Sequence, residues 1–349
     1  MKIIHLLSSD SRDLAADTTL SLCRSLHAAG HTVAVMCRPV EDIVGPLKDA
    51  GVETVTASLR GALDVISPVR LSKMLRQSQE ERIVIHVHRF ADAATAARAR
   101  LLAKMPQVKI VLSRHLEGPA KTGVTASSAY AEIDAMLFHG ETSRELFMST
   151  SPEISPSRLH IVPPVVDLST RSEVTGVKDP DMFTLLVAGP ITADKGLVTL
   201  METLGEVRRL PWRLVVTGQG QGPQVMPAIR AARRLGISDR IEWLGDDAKM
   251  DRAANEADLA VAPEHAVRLH DRSLPCYLAA GLPVVATDIP SHVDRLAGRK
   301  ATRLVPVADS HALAEALARM IPLSRLERPE PEMSVDYARR IVSLYTSLF

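Results

Sequence analysis

Aromatic side chains are scarce, 3% of 349 residues, which leaves few rings for a surface that stacks nucleic-acid bases. An excess of charge of either sign is also missing, with 42 Lys and Arg against 41 Asp and Glu. A nucleic-acid-binding protein would normally tilt that balance with a basic patch, so nucleic acid is not an expected partner. Cysteine is limited to Cys23, Cys37 and Cys276, an odd number without zinc spacing, which suits a reducing compartment. No apolar run approaches the length of a membrane span. The apolar start Ile3-Ile4-His5-Leu6-Leu7 is broken by Ser8-Ser9-Asp10 too early for a secretory leader. A cytoplasmic location is the expectation.

What the chain does have is 46% hydrophobic content, enough for two globular domains. Short β-branched runs alternate with helical stretches, from Lys2–Leu7 to Arg303–Val305. Helix-length segments between most of them imply βαβ crossovers and parallel sheets. After Gly196, for example, Leu197, Leu200, Met201, Leu204 and Val207 recur at helical spacing. The pattern is interrupted by Ser, Thr, Gly, Pro and charge at Asp167–Met182, which reads as a linker. The expected domains are 1–167 and 183–323. A proline-rich, charged stretch, Ser324–Glu332, then precedes a last helical segment within 335–349.

Several local motifs stand in a fixed order. Gly189-Pro190-Ile191-Thr192-Ala193-Asp194-Lys195-Gly196 comes first, then Val216-Thr217-Gly218-Gln219-Gly220, then Ile241-Glu242-Trp243-Leu244-Gly245. Ala280-Gly281-Leu282-Pro283-Val284-Val285-Ala286-Thr287-Asp288 closes the series. Together they resemble the nucleotide-sugar-binding half of GT-B glycosyltransferases, especially the retaining family 4 enzymes, also called glycosyl transferases group 1. The resemblance implies an α/β fold of two Rossmann-like doubly wound domains facing a cleft. The first domain would take the acceptor, the second the nucleotide sugar, and the last helix would pack back on the first domain.

The same resemblance implies donor-binding roles for Gly189, Lys195, Gly218 and Gly220. A lysine beside a helix N-terminus adds a point charge to N–H groups that already favour an anion. Gly218-Gln219-Gly220-Gln221-Gly222 could also suggest a dinucleotide fingerprint, but Pro223 stands where the third glycine belongs. The family pattern is broken in three places. Pro190 replaces a phosphate-binding arginine, and Arg268 and Cys276 occupy the positions of two glutamates eight residues apart. Arg268 and Arg272 are then candidates to restore phosphate charge through bidentate contacts.

In the first half, the resemblance points to His115 beside the reacting sugar, where an imidazole can donate a hydrogen bond or move a proton. Ser9 and Arg12, in a glycine-free loop after the first strand, and His88 are candidates on the acceptor side. His86 and His88 share one face of their strand, but no further ligands mark a metal site, and none is expected. The implied function is transfer of a sugar from a nucleotide diphosphate sugar to a glycan or lipid-linked acceptor, with no separate cofactor. A lipid-linked acceptor leaves room for peripheral association with a membrane. The alternative is a catalytically inactive GT-B homologue serving as a glycan-binding or partner-binding subunit. A nucleotide-sugar epimerase would share the fold but needs cleft carboxylates that the sequence does not place.

Overall fold

The computed structural model describes residues 1–115, 118–168, 179, 181–218, 220, 222–245, 249–266 and 271–349. The chain divides into two compact units, Met1–Val166 with Met333–Phe349, and Asp167–Glu332. Most of the expected linker lies outside the described residues. The proline-rich stretch Ser324–Glu332 belongs to the second unit, where its charges find partners: Arg325 reaches Asp258, and Glu332 reaches Arg295 and Arg299.

Among the described residues the first unit holds seven parallel strands: β1 (Lys2–Leu7), β2 (Thr32–Cys37), β3 (Glu53–Thr56), β4 (Ile83–Val87), β5 (Lys109–Ser113), β6 (Ala135–Phe138) and β7 (Leu159–Ile161). Their order is β3-β2-β1-β4-β5-β6-β7, so the direction of winding reverses between β1 and β4. Strand residues alternate between two apolar layers. Ile4 and Leu6 face the layer roofed by helices Ile66–Arg76 and Phe90–Ala103, while Ile3 and Leu7 face the other. That second layer is covered by helix Leu14–Ala28, by Glu41–Asp49 and by the last helix, Ser334–Ser347. Asp13 caps Leu14–Ala28 by accepting from the Ala16 N–H. The last helix buries Tyr337, Ile341 and Tyr345, at i, i+4 and i+8, against this face.

Among its described residues the second unit holds six parallel strands: β8 (Phe183–Val187), β9 (Trp212–Val216), β10 (Ile241–Trp243), β11 (Leu259–Ala262), β12 (Val284–Thr287) and β13 (Thr302–Val305). Their order, β10-β9-β8-β11-β12-β13, reverses between β8 and β11. Leu185 and Val187 point into one apolar layer, Leu186 and Ala188 into the other, so both faces are buried as a parallel sheet requires. Among the described residues no helix is long and apolar enough to cross a membrane.

Candidate functional site

In open parallel sheets, ligands are held at the carboxyl ends of strands beside the point where winding reverses. Each unit concentrates its unusual chemistry there.

In the first unit, strand register explains a layer of histidines. His5 of β1 pairs with His86 of β4, and His86 with Val111 of β5, so these side chains share a face. The period of two continues that face to His88, Ser113, His115 and His139. The rings meet in sequence. His5 Nδ1 lies 3.0 Å from His88 Nε2, His88 Nδ1 lies 3.1 Å from His115 Nε2, and His115 Nδ1 lies 3.3 Å from His139 Nε2. His86 stands to one side, with Nδ1 2.5 Å from the Tyr345 hydroxyl and Nε2 2.7 Å from Ser113 Oγ. His5, His86, His88 and His115 are buried, and His139 is half-buried. Burial lowers the pKa of His5 to about 3 and holds His86 and His88 well below the usual histidine range.

Several expectations change here. His115 is not an open side chain at a strand end, because both ring nitrogens already meet other histidines. His88 is likewise buried within the row. His86 and His88 do gain a neighbour, since His5 brings three imidazoles whose ligand atoms lie within 4.8 Å of one another. Ser9 is buried and donates to Asp13 at 3.1 Å, and Arg12 folds back on Asp17 at 2.5 Å. Beside them Ser8 donates to Asp92 at 2.6 Å, and burial raises the Asp92 carboxyl to about 6 despite that bond.

In the second unit, Lys195 is wholly buried and not a solvated lysine. Its Nζ lies 2.5 Å from Glu264 Oε1 and 3.2 Å from Asp271 Oδ2. Burial opposes its charge, but Asp271 and Glu264 outweigh that, and its pKa is raised. Burial likewise opposes the Asp271 charge, yet Lys195 and the Ser273 bonds bring its pKa down. Among the described residues no hydrogen-bond donor reaches the buried Glu264 Oε2, and His292 Nε2 is 3.7 Å away.

The glycines here answer to internal packing. At Gly189 (φ +97°) an added Cβ would stand 2.6 Å from Asp271 Oδ1. At Gly196 (φ +71°) it would stand 1.8 Å from the Pro263 carbonyl, and at Gly220 it would stand 2.7 Å from Ile191 Cβ. Gly218, at φ +124°, turns the chain after β9. Arg272 pairs with Asp251 at 2.8 Å, and Cys276 Sγ lies 4.0 Å from the same carboxylate oxygen. Arg268 lies outside the described residues. The structure thus gathers Gly189, Lys195 and Gly196 with Glu264 and Asp271, whereas Arg272 turns to a different acid.

Sequence reasoning passed over His5, His139 and Tyr345, and did not connect Glu264 or Asp271 to Lys195. A histidine follows each of β4, β5 and β6 within two residues of its end, and that repetition was the available signal.

Residues 15–170 match a family model described as Glycosyltransferase Family 4, and residues 183–322 match one described as Glycosyl transferases group 1. The chain is 22% identical over 304 residues to an exopolysaccharide phosphotransferase of Streptomyces coelicolor, covering 83% of this chain and 30% of that protein. It is 31% identical over 131 residues to a phosphatidyl-myo-inositol mannosyltransferase of Mycobacterium leprae, covering 36% of this chain and 34% of that protein. These alignments span about a third of the length of the curated relatives. Among solved structures, a glycosyltransferase from Rickettsia africae superposes with a TM-score of 0.77 at 12% identity, covering 99% of this chain and 98% of that one. Anabaena HepE in complex with UDP and glucose gives 0.72 at 14% identity, covering 99% and 100%. The lipopolysaccharide outer core galactosyltransferase WaaB gives 0.68 at 15% identity, covering the whole of both chains.

Proposed function

Because the chain belongs to the GT-B glycosyltransferases, we propose that it transfers a hexose from a nucleoside diphosphate sugar to a hydroxyl of a glycan or lipid-linked acceptor. The observation that carries this reading is the convergence of Gly189, Gly218, Lys195 and Glu264 on the carboxyl ends of β8, β9 and β11. Those ends flank the reversal of strand order, where such sheets hold nucleotides. Lys195 is a fixed positive charge for the leaving diphosphate, and the N–H groups that open helix Leu197–Glu206 add to it. Charge placed in advance in this way stabilises a developing phosphate anion without reorganisation. Glu264 Oε2 is the acceptor for a donor hydroxyl, since a buried carboxylate oxygen to which no described residue donates is costly unless something donates to it.

The UDP and glucose in the HepE structure support the donor class. The name of the phosphatidyl-myo-inositol mannosyltransferase supports a lipid-linked acceptor, which would bring the protein to a membrane surface from the cytoplasm. The test is a panel of UDP-, GDP- and ADP-sugars, each followed for nucleotide release with and without glycan and lipid-linked acceptors. One sugar nucleotide should be consumed, and Glu264→Gln should lower its turnover at least about tenfold, the loss of one charge-assisted bond. No turnover of any member, with any acceptor, would count against transfer.

A further inference from the structure

The two helices that roof one face of the first sheet, Ile66–Arg76 and Phe90–Ala103, bury Leu71, Leu75, Ala93, Ala96 and Ala99 beneath them. Their outer side is not polar throughout, as a solvated helix face would be. Leu63 and Val65, in the turn that leads into the first of these helices, are 89% and 73% exposed. Ile66, Val69, Leu101 and Leu102 are exposed as well. These side chains form one patch, since Leu63, Val65, Leu101 and Leu102 line a common shallow groove. Across it Arg98 donates to the Asp64 carbonyl and Arg76 to the Leu102 carbonyl, each at 3.3 Å. Apolar side chains gathered in one exposed place mark a surface that meets an apolar partner.

The turn beneath the patch is firmly built. The buried Asp64 carboxylate accepts from the backbone N–H groups of Arg60, Ile66 and Ser67 at 2.9, 3.0 and 2.9 Å. It also accepts from the hydroxyls of Ser58 and Ser67 at 3.0 and 2.7 Å. Its charge is thus spent inside the turn, and its neighbours Leu63 and Val65 are held outward. Around the patch, exposed charge has one sign. Arg60, Arg70, Lys73, Arg76 and Lys104 are all exposed. Across residues 60–76 and 90–104 the acids are Asp64 and Asp92, and both are buried. Glu132, which shares the next groove with Lys104, is held by Arg100 at 2.6 Å. A two-fold contact with a second copy would set these cations against their own kind, whereas an anionic surface would neutralise them.

We propose that this face of the first unit, with Leu63 and Val65 at its tip, docks on a lipid bilayer that carries anionic headgroups. The aliphatic side chains enter the boundary between headgroups and acyl chains. The long arginine and lysine side chains lie along the apolar surface and keep their charges at the lipid phosphates. Each cation close to an anionic leaflet tightens attachment about fivefold. Attachment is peripheral, since no described helix is long and apolar enough to cross a membrane. The choice of a bilayer rests on the lipid-linked acceptor reading, whereas the binding itself needs neither sugar nucleotide nor acceptor.

Flotation of the full chain with vesicles of phosphatidylcholine, alone or mixed with phosphatidylglycerol, tests the proposal. The chain should bind the mixed vesicles at least about tenfold more tightly than phosphatidylcholine alone, and added salt should weaken that binding. Leu63→Ser with Val65→Ser, and separately Arg70→Gln with Lys73→Gln, should each lower the affinity by about tenfold or more. The thermal midpoint should stay unchanged, because all four side chains are exposed. Arg230→Gln with Arg233→Gln, exposed on a helix of the second unit, should leave binding within about twofold, since cations outside the patch do not reach the leaflet. A polarity-sensitive fluorophore on Val65→Cys should shift to the blue with the mixed vesicles, and the native cysteines are buried away from the label. No flotation, equal flotation of the native chain and both patch variants, or an unshifted fluorophore would overturn the proposal. So would a native dimer that Leu63→Ser with Val65→Ser splits, which would give the face to a second copy. If the chain floats but consumes no sugar nucleotide, the transferase reading fails and the docking face stands.

Discussion

Lys195 shows how a single residue can be legible in type and opaque in setting. The Asp194-Lys195-Gly196 run before an amphipathic helix marks it as an anion-binding candidate. Its two carboxylate partners come from 69 and 76 residues downstream, a separation that no local motif encodes. A buried cation between one buried acid and one largely buried acid is a structural unit as well as a binding group. Removing one member leaves uncompensated charge, so Lys195→Met should destabilise the protein by about 3–5 kcal/mol. Adding Glu264→Gln and Asp271→Asn should recover most of that loss in urea denaturation. A loss below about 1 kcal/mol in the single variant, the worth of an exposed pair, would mean that the three groups do not form a buried unit. Cys276, where the sequence resemblance leads one to expect a glutamate, sits in apolar packing beside Asp251. The carboxylate of Asp251 beside Cys276 was not readable from the sequence, because the two lie on different elements.

At the scale of elements, apolar runs and their spacing made all the described strands readable in number and close to their ends, because buried parallel strands are continuous apolar segments. The order of strands was not readable from one sequence, and the histidine row depends on it. His5, His88, His115 and His139 become neighbours only when β1, β4, β5 and β6 lie side by side in that order. Tyr345 joins them because the last helix returns to the first unit.

This layer has a consequence for acid stability. A histidine kept neutral by burial binds fewer protons folded than unfolded. Its contribution is therefore complete above the ordinary value of 6.5 and is lost as pH falls from there toward the folded value, about 3 for His5. Each such histidine adds a slope of about 1.4 kcal/mol per pH unit within that window. Denaturant midpoints measured from pH 7.5 to 5.0 should fall steeply on acidification, and His5→Leu should flatten the slope by about one histidine's share. A midpoint independent of pH across that range would show that the row is already charged or solvated when folded.

At the scale of the whole chain, two units with separate apolar cores carry two different kinds of strand-end chemistry. The first holds a row of imidazoles, of which burial keeps His5, His86 and His88 neutral, and the second a lysine held between acids. With a formal net charge of +1, long-range attraction of a polyanion is weak, and phosphate recognition depends on local groups. The central claim is that the second unit binds a nucleoside diphosphate beside Lys195, and calorimetric titration of the intact protein tests it most directly. UDP, GDP and ADP would each be compared with uridine, guanosine and adenosine, at low and high salt. At least one diphosphate should bind with submillimolar Kd, at least about tenfold tighter than its nucleoside, as one charge-assisted contact requires, and added salt should weaken it. No heat from any diphosphate at millimolar concentration, or equal affinity for nucleoside and diphosphate, would contradict the account.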